Sequence, residues 1–211
     1  MRLGMMESAI TSFYNKIGKS TEPLSHYLVY ELSLLLNAYY LNLVGSLDNI
    51  AWALTYLHNL LDCIDEDNIE HRKFVNISGN KFLQKLRDKD LKTLADKIES
   101  VNGWYKDTKR FRDPAAHRIP LYIPSAILSE SDIQQHTDLD IEAAKLIKNG
   151  RYNEGANLLY KRENLGIHVP IFFSESPNIK RYELAKQINK DHQNWLDLVE
   201  ICLDIGFLKC A

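Results

Sequence analysis

Residues 27–47 read YLVYELSLLLNAYYLNLVGSL. Glu31 is the one charge in the run, and the apolar positions recur at helical spacing. A stretch of this length is long enough to cross a bilayer. Insertion would carry Glu31, Asn37 and Asn42 into hydrocarbon, and no Lys or Arg flanks the run. Ser33, the two asparagines and the tyrosines fit a helix buried in a bundle instead. The helical pattern extends outward from Leu24 to Leu61, as one bent helix or as two with a break near Gly45-Ser46. Ahead of it, Ser20-Thr21-Glu22-Pro23 is a helix-start signature, and Ile10, Phe13, Tyr14 and Ile17 predict a first helix over Glu7 to Ile17, stopped by Gly18.

The rest of the chain suits such a core. It has 211 residues, 45% apolar and 26% charged, with 9 Gly and 6 Pro, a mixture that excludes disordered and collagen-like chains and favours long regular elements. A formal charge of −2 gives no global positive field, so a nucleic-acid partner needs a local patch. Cys63, Cys202 and Cys210 form no CxxC pair, which argues against a zinc knuckle, a redox motif or a disulfide scaffold. The first residues carry no secretory h-region, so the expected location is cytoplasmic, and the Asn76-Ile77-Ser78 sequon carries no weight.

Downstream, Asp62 to Gly79 reads as a loop, and a helical pattern runs from Lys81 to about Arg112, with a fray at Asn102-Gly103. Two β-rich runs bracketed by proline, 119–124 and 166–173, are predicted to lie side by side as short strands. Between them, Asp140 to Lys148 and Tyr152 to Lys161 predict a helical hairpin turned at Asn149-Gly150. A last amphipathic helix covers about Ile179 to Ile205. The expected fold is one mainly α domain over residues 1–211. Its antiparallel bundle covers about 5–118 and 179–207, and the insertion, about 119–178, contains two short strands and a helical hairpin.

Several chemical signatures fail on inspection. Gly18-Lys19-Ser20 lacks the glycine and strand that a phosphate loop requires. His58 and Asp62 are four apart on a helix, but no second pair completes a metal site. Nucleophile-elbow, zinc-deaminase and dinucleotide fingerprints are missing from the chain.

Lys106 to Ile119 stands out. Lys106, Lys109, Arg110, Arg112 and Arg118 meet two acids there, the strongest basic cluster in the chain. Asp113-Pro114 reads as an N-cap followed by Pro, which would start a short new helix with His117 in its first turn, its free N–H groups ready for an anion. A continuous helix would instead set Arg112 and His117 about 140° apart and put Asp113 and His117 on one face. Either way the segment holds an imidazole that titrates near neutrality, a fixed cation and phosphate-binding donors. These suit RNA cleavage by the 2′-OH, with His moving the proton and Arg stabilising the phosphorane charge.

The run Arg112-Asp113-Pro114-Ala115-Ala116-His117 resembles the R-x4-6-H motif of HEPN domains, which carry a polar residue directly after the Arg. The stretch Arg112 to Pro124, with Val169-Pro170-Ile171-Phe172, is similar to a branch of bacterial HEPN-like proteins. This resemblance implies a metal-independent endoribonuclease without organic cofactor, of the kind found in toxin–antitoxin and defence systems. It implies a homodimer that shares one cleft, and an antitoxin or defence-system protein as partner. Carried over by the motif, Arg112 is the phosphate clamp, His117 the acid/base and Asp113 the orienting residue. The surrounding basic cluster, Lys106, Lys109, Arg110 and Arg118, supplies the expected RNA contacts. Arg110 to His117 and Arg162 to His168 also fit the loose spacing. A non-catalytic HEPN-like module that binds RNA or nucleotide, or that serves in assembly, stays open, as does a purely structural Arg112 and His117.

Overall fold

The computed structural model describes residues 2–17, 21–63, 65, 67–117, 120–174 and 180–207, with backbone alone at 114–117. The architecture is mainly α with a small two-stranded antiparallel sheet. Helices α1 (Arg2–Lys16), α2 (His26–Leu57), α3 (Ile69–Phe74), α4 (Asn80–Asp88), α5 (Lys92–Ser100) and α6 (Asn102–His117) come first. They are followed by α7 (Glu130–Lys148), α8 (Tyr152–Glu163), strands β1 (Ile171–Ser174) and β2 (Lys180–Glu183), and α9 (Leu184–Ile201). A π-helical turn, Cys202–Phe207, continues α9. Among the described residues, no helix is long and apolar enough to cross a membrane.

Helix α2 is the axis of the bundle, about 48 Å long at the usual rise. Ser25 caps it, its hydroxyl accepting from the Leu28 N–H at 3.3 Å. It passes Gly45-Ser46 unbroken, which decides for one helix over two. The glycine serves a close approach: a Cβ at 45 would collide with the Arg2 guanidinium of α1. Ser46 Oγ donates to the Leu43 carbonyl at 2.7 Å and accepts from Trp195 Nε1 at 2.6 Å. The polar residues that spoke against a membrane span hold the crossing segment 121–123. Asn37 Nδ2 donates to the Leu121 carbonyl at 2.7 Å, its Oδ1 accepts from Leu121 N–H at 3.0 Å, and Ser33 Oγ accepts from Ile123 N–H at 3.0 Å. Tyr39 and Tyr40 are buried, whereas Tyr27, Tyr30 and Leu34 are exposed.

One apolar cluster joins α1, α2, α4, α5, α6 and α9, and Leu121, Ile123 and Phe172 fill it from the segment between α6 and α9. Asp191 of α9 is its polar centre, 1% exposed. Its carboxylate accepts from Tyr40 Oη at 2.8 Å, Trp104 Nε1 at 3.0 Å and Gln187 Nε2 at 2.9 Å, tying α2, α6 and α9 together.

Several boundaries differ from the sequence reading. The helix expected over Lys81 to Arg112 is three, because Asp90 takes a left-handed conformation (φ 60°) between α4 and α5, and Val101 ends α5. The expected loop 62–79 contains α3, capped by Asn68, whose Oδ1 accepts from Glu70 N–H. Helix α1 begins at Arg2, and α7 at Glu130, where Ser129 and Asp132 form a capping box. The two proline-bracketed runs lie side by side at a single bridge, Tyr122 to Phe173, and Ile127, beyond the first run, bridges Ile167. The ladder pairs β1 with β2, in residues expected to start the last helix. Phe172 and Tyr182 stack at 5.2 Å, and both pack against Phe111, so burial of aromatic faces decides the ribbon.

Candidate functional site

Helix α6 carries all but one of the expected site residues. It runs without interruption to His117, so Asp113-Pro114 starts no new helix. Pro114 costs the last turn one backbone hydrogen bond, while the buried anchors Tyr105, Thr108 and Phe111 hold the turns before it. The continuous helix sets positions 112 and 117 about 140° apart and brings 113 and 117 to within about 40°. The fold therefore does not gather Arg112 and His117 on one helix face. Arg118 and the His117 side chain lie outside the described structure.

Lys106 is exposed, and Arg110 is exposed in a 3.4 Å ion pair with Asp107. Such a solvated pair restrains the side chain only weakly. Lys109 and Arg112 lie nearer the seam with α2 and are half-buried. The Arg112 side chain is 24% exposed, with Nε 3.0 Å from Asp113 Oδ1. That buried Nε makes no well-aligned hydrogen bond to any described residue.

Across the seam, α2 presents Asp48, half-buried. Burial pushes its carboxyl above the ordinary aspartate value, against the opposing pull of Arg112, Lys109, Arg2 and the Tyr105 hydroxyl. Tyr105 is itself pushed upward, first by burial and then by the Asp48 charge. The site is thus a three-helix cluster: Arg2 from α1, Asp48 from α2, and Tyr105, Lys109 and Arg112 from α6. Three cations facing two carboxylates, Asp48 and the Asp113 paired with Arg112, leave one positive charge to spare. The Arg112 fork suits bidentate phosphate contact, and a carboxyl displaced upward suits proton exchange.

Sequence reasoning missed Arg2, Asp48 and Tyr105. A signal existed for Asp48, which with Glu31 makes up the acid content of α2. Glu31 is answered by Lys16, and Asp48 by the cation cluster. A second positive surface also went unread. Arg181, Lys186 and Lys190, with Glu183 and Gln187, line a cavity of about 650 Å³ where β2 leads into α9.

Other candidates resolve as structural. His58 Nε2 lies 2.7 Å from the Gly206 carbonyl, joining the end of α2 to the π-helical turn. Burial raises the Cys202 thiol to about 12, which removes it as a nucleophile. Among the described residues, no group of three His, Cys, Asp or Glu side chains is arranged to hold a metal. No protein-family model, curated protein or solved structure matches the chain.

Proposed function

We propose that this chain is a HEPN-like endoribonuclease. Arg112, with Lys109 and Arg2, grips the RNA phosphate, and His117 moves the proton. The observation that carries this reading is the Arg112 guanidinium. It is three-quarters buried beside two other cations, and its buried Nε lacks a hydrogen-bonded acceptor among the described residues. Buried polar groups are normally hydrogen-bonded, and a buried guanidinium nitrogen that meets the Asp113 carboxylate at 3.0 Å without a well-aligned hydrogen bond favours an incoming phosphate. In the proposed reaction the 2′-oxygen loses its proton to an imidazole and attacks phosphorus. The P–O5′ bond breaks, and the 5′-oxygen takes a proton. The products are a 2′,3′-cyclic phosphate and a 5′-hydroxyl. Asp113 shares the outer face of α6 with His117 and orients it, while Lys106, Arg110 and Arg118 guide the strand.

In this reading the angular separation of positions 112 and 117 favours a division of the phosphate and proton roles between the two copies of a homodimer. The resemblance also suggests a cytoplasmic toxin–antitoxin or defence setting, with an antitoxin or another defence protein as partner. Cleavage by matched wild-type, His117→Ala and Arg112→Ala protein in chelator, with the RNA ends identified, tests the reading. Cyclic-phosphate ends from wild type alone are expected.

A second reading, a non-catalytic RNA-binding module, is favoured by a specific observation: the acids beside Arg112 are Asp113 and Asp48, and positions 112 and 117 lie about 140° apart on α6. It expects undiminished, salt-sensitive RNA affinity in His117→Ala and no cleavage by wild type.

A further inference from the structure

The cavity where β2 leads into α9 is framed by backbone contacts. Ile171 of β1 pairs with Glu183 of β2, and the Leu184 N–H donates to the Pro170 carbonyl at 2.9 Å. These contacts hold residues 169–171, β2 and the first turns of α9 around a concavity of about 650 Å³, within the size range of small-molecule sites. Val169, Pro170, Ile171 and Ala185 give it an apolar wall. Gln187 lines it too, and its amide nitrogen is taken up by the Asp191 carboxylate, which leaves the side-chain oxygen as an acceptor.

Three cations line the rest. Arg181 comes from β2, and Lys186 and Lys190 stand about one turn apart on α9. Glu183 is the acid in the lining. Counting the whole stretch 180–191 adds Lys180 and Asp191, and the excess of two positive charges is unchanged. Asp191 is committed to the core by Tyr40 and Trp104. Among the described residues, Arg181, Lys186 and Lys190 make no ion pair, although Glu183 is two positions along the strand from Arg181. The other described arginines are answered: Arg72, Arg87, Arg110, Arg112, Arg151 and Arg162 each pair with a carboxylate, and Arg2 faces Asp48. A concavity that gathers unanswered cations beside an apolar wall calls for an anion on a partly apolar body.

We propose that this cavity binds a small organic phosphomonoester, with the phosphate between Arg181, Lys186 and Lys190 and the organic body on the wall of residues 169–171. A phosphomonoester carries about −1.5 to −2 charge near neutral pH, which matches the excess of the lining. The Arg181 fork suits two phosphate oxygens at once, and the two lysines act as point charges. A phosphodiester strand carries a single charge per nucleotide and needs an open track instead of a bounded concavity. The inference is independent of the ribonuclease reading, because no residue of the Arg112 cluster lines the cavity.

Isothermal titration calorimetry of the full chain tests it with phenyl phosphate, adenosine 5′-monophosphate and glycerol 3-phosphate, three phosphomonoesters on different bodies. Phenyl phosphate is expected to bind with a Kd on the order of 100 μM. Methyl phenyl phosphate, with the same ring and a single charge, should bind about tenfold more weakly. Arg181→Ala should weaken phenyl phosphate about tenfold and Lys186→Glu/Lys190→Glu should abolish its binding, at unchanged far-UV circular dichroism, since all three side chains are exposed. Arg112→Ala should leave the affinity unchanged. Binding of none of the three monoesters up to about 5 mM overturns the proposal. Equal affinity for the monoester and the diester overturns it, as does an affinity that follows Arg112 instead of Arg181. Displacement of phenyl phosphate by an RNA oligonucleotide with a 5′-hydroxyl, lost in the Lys186→Glu/Lys190→Glu protein, would make the cavity a stretch of RNA path and contradict a small-molecule site.

Discussion

Asp191 and Asp48 lie on two helices of the same bundle, and burial pushes both carboxyls above the ordinary aspartate value. Their surroundings differ. Asp191 is enclosed and answered by neutral donors, Gln187, Tyr40 and Trp104, with Lys190 the one cation acting on it. Asp48 is half-open and faces Arg112, Lys109 and Arg2. A carboxylate saturated by neutral hydrogen bonds fixes three helices and leaves nothing over for a ligand. One surrounded by more cations than it can neutralise leaves charge over. The first environment holds the fold, and the second is where chemistry is expected.

The largest effect expected from breaking this contrast is on stability. Asp191→Ala strands the Tyr40 and Trp104 donors and should cost about 3 kcal/mol, lowering the thermal midpoint by roughly 6–12 °C in a chain of this size. Circular dichroism melting checks it. Arg112→Ala should leave the midpoint within roughly 2 °C and reduce RNA cleavage by about a hundredfold or more, measured at saturating RNA. Lys109→Ala and Arg2→Ala should each flatten the plot of log affinity against log salt by about one phosphate contact, read from filter binding across a salt series.

Asp48→Asn sharpens the comparison from the other side. Removing the carboxylate charge frees the cations, so RNA affinity should rise a few-fold. The pH dependence has a definite sign. A carboxyl whose folded value is raised favours the protonated folded state, so its contribution is fully present below the unfolded value and lost as pH rises through the folded one. Wild type should therefore lose stability relative to Asp48→Asn as pH rises above the ordinary aspartate value, in paired denaturant titrations. The smallest effect belongs to the exposed Arg151–Glu154 pair at the start of α8, where Arg151→Ala should shift stability by no more than about 0.5 kcal/mol.

The mainly helical class was legible because Tyr27 to Leu47 has a helical apolar period and too many polar groups for lipid. Those same groups, Ser33 and Asn37, prove to hold the crossing segment, a long-range contact that periodicity cannot reveal. The second strand of the ladder went unread for a related reason. Lys180 to Glu183 looks like the polar start of a helix, and only Tyr182 stacking on Phe172 and Phe111 makes it a strand. Asp90 broke a helix that its apolar spacing continued, by taking a left-handed backbone that Asp tolerates better than most residues.

At the candidate site, local charge density singled out Arg112 and Lys109, since both lie in one short basic run. Asp48 and Arg2 come from distant parts of the chain and join them only through the packing of α1 and α2 on α6. The Asp113-Pro114 pair has the residue types of a cap, and nothing local distinguishes a cap from the last turn of a helix already held by Tyr105 and Phe111.

The most direct test of the central claim is to mix two inactive proteins. Arg112→Ala keeps His117, and His117→Ala keeps Arg112. If the two roles fall on different copies, mixed dimers hold one complete site. Subunit exchange should then restore metal-independent RNA cleavage to about a quarter of the wild-type rate, since half the dimers are mixed and each has one of two sites intact. Wild-type cleavage with no recovery on mixing would contradict the shared site. No cleavage by wild type would contradict the ribonuclease reading itself.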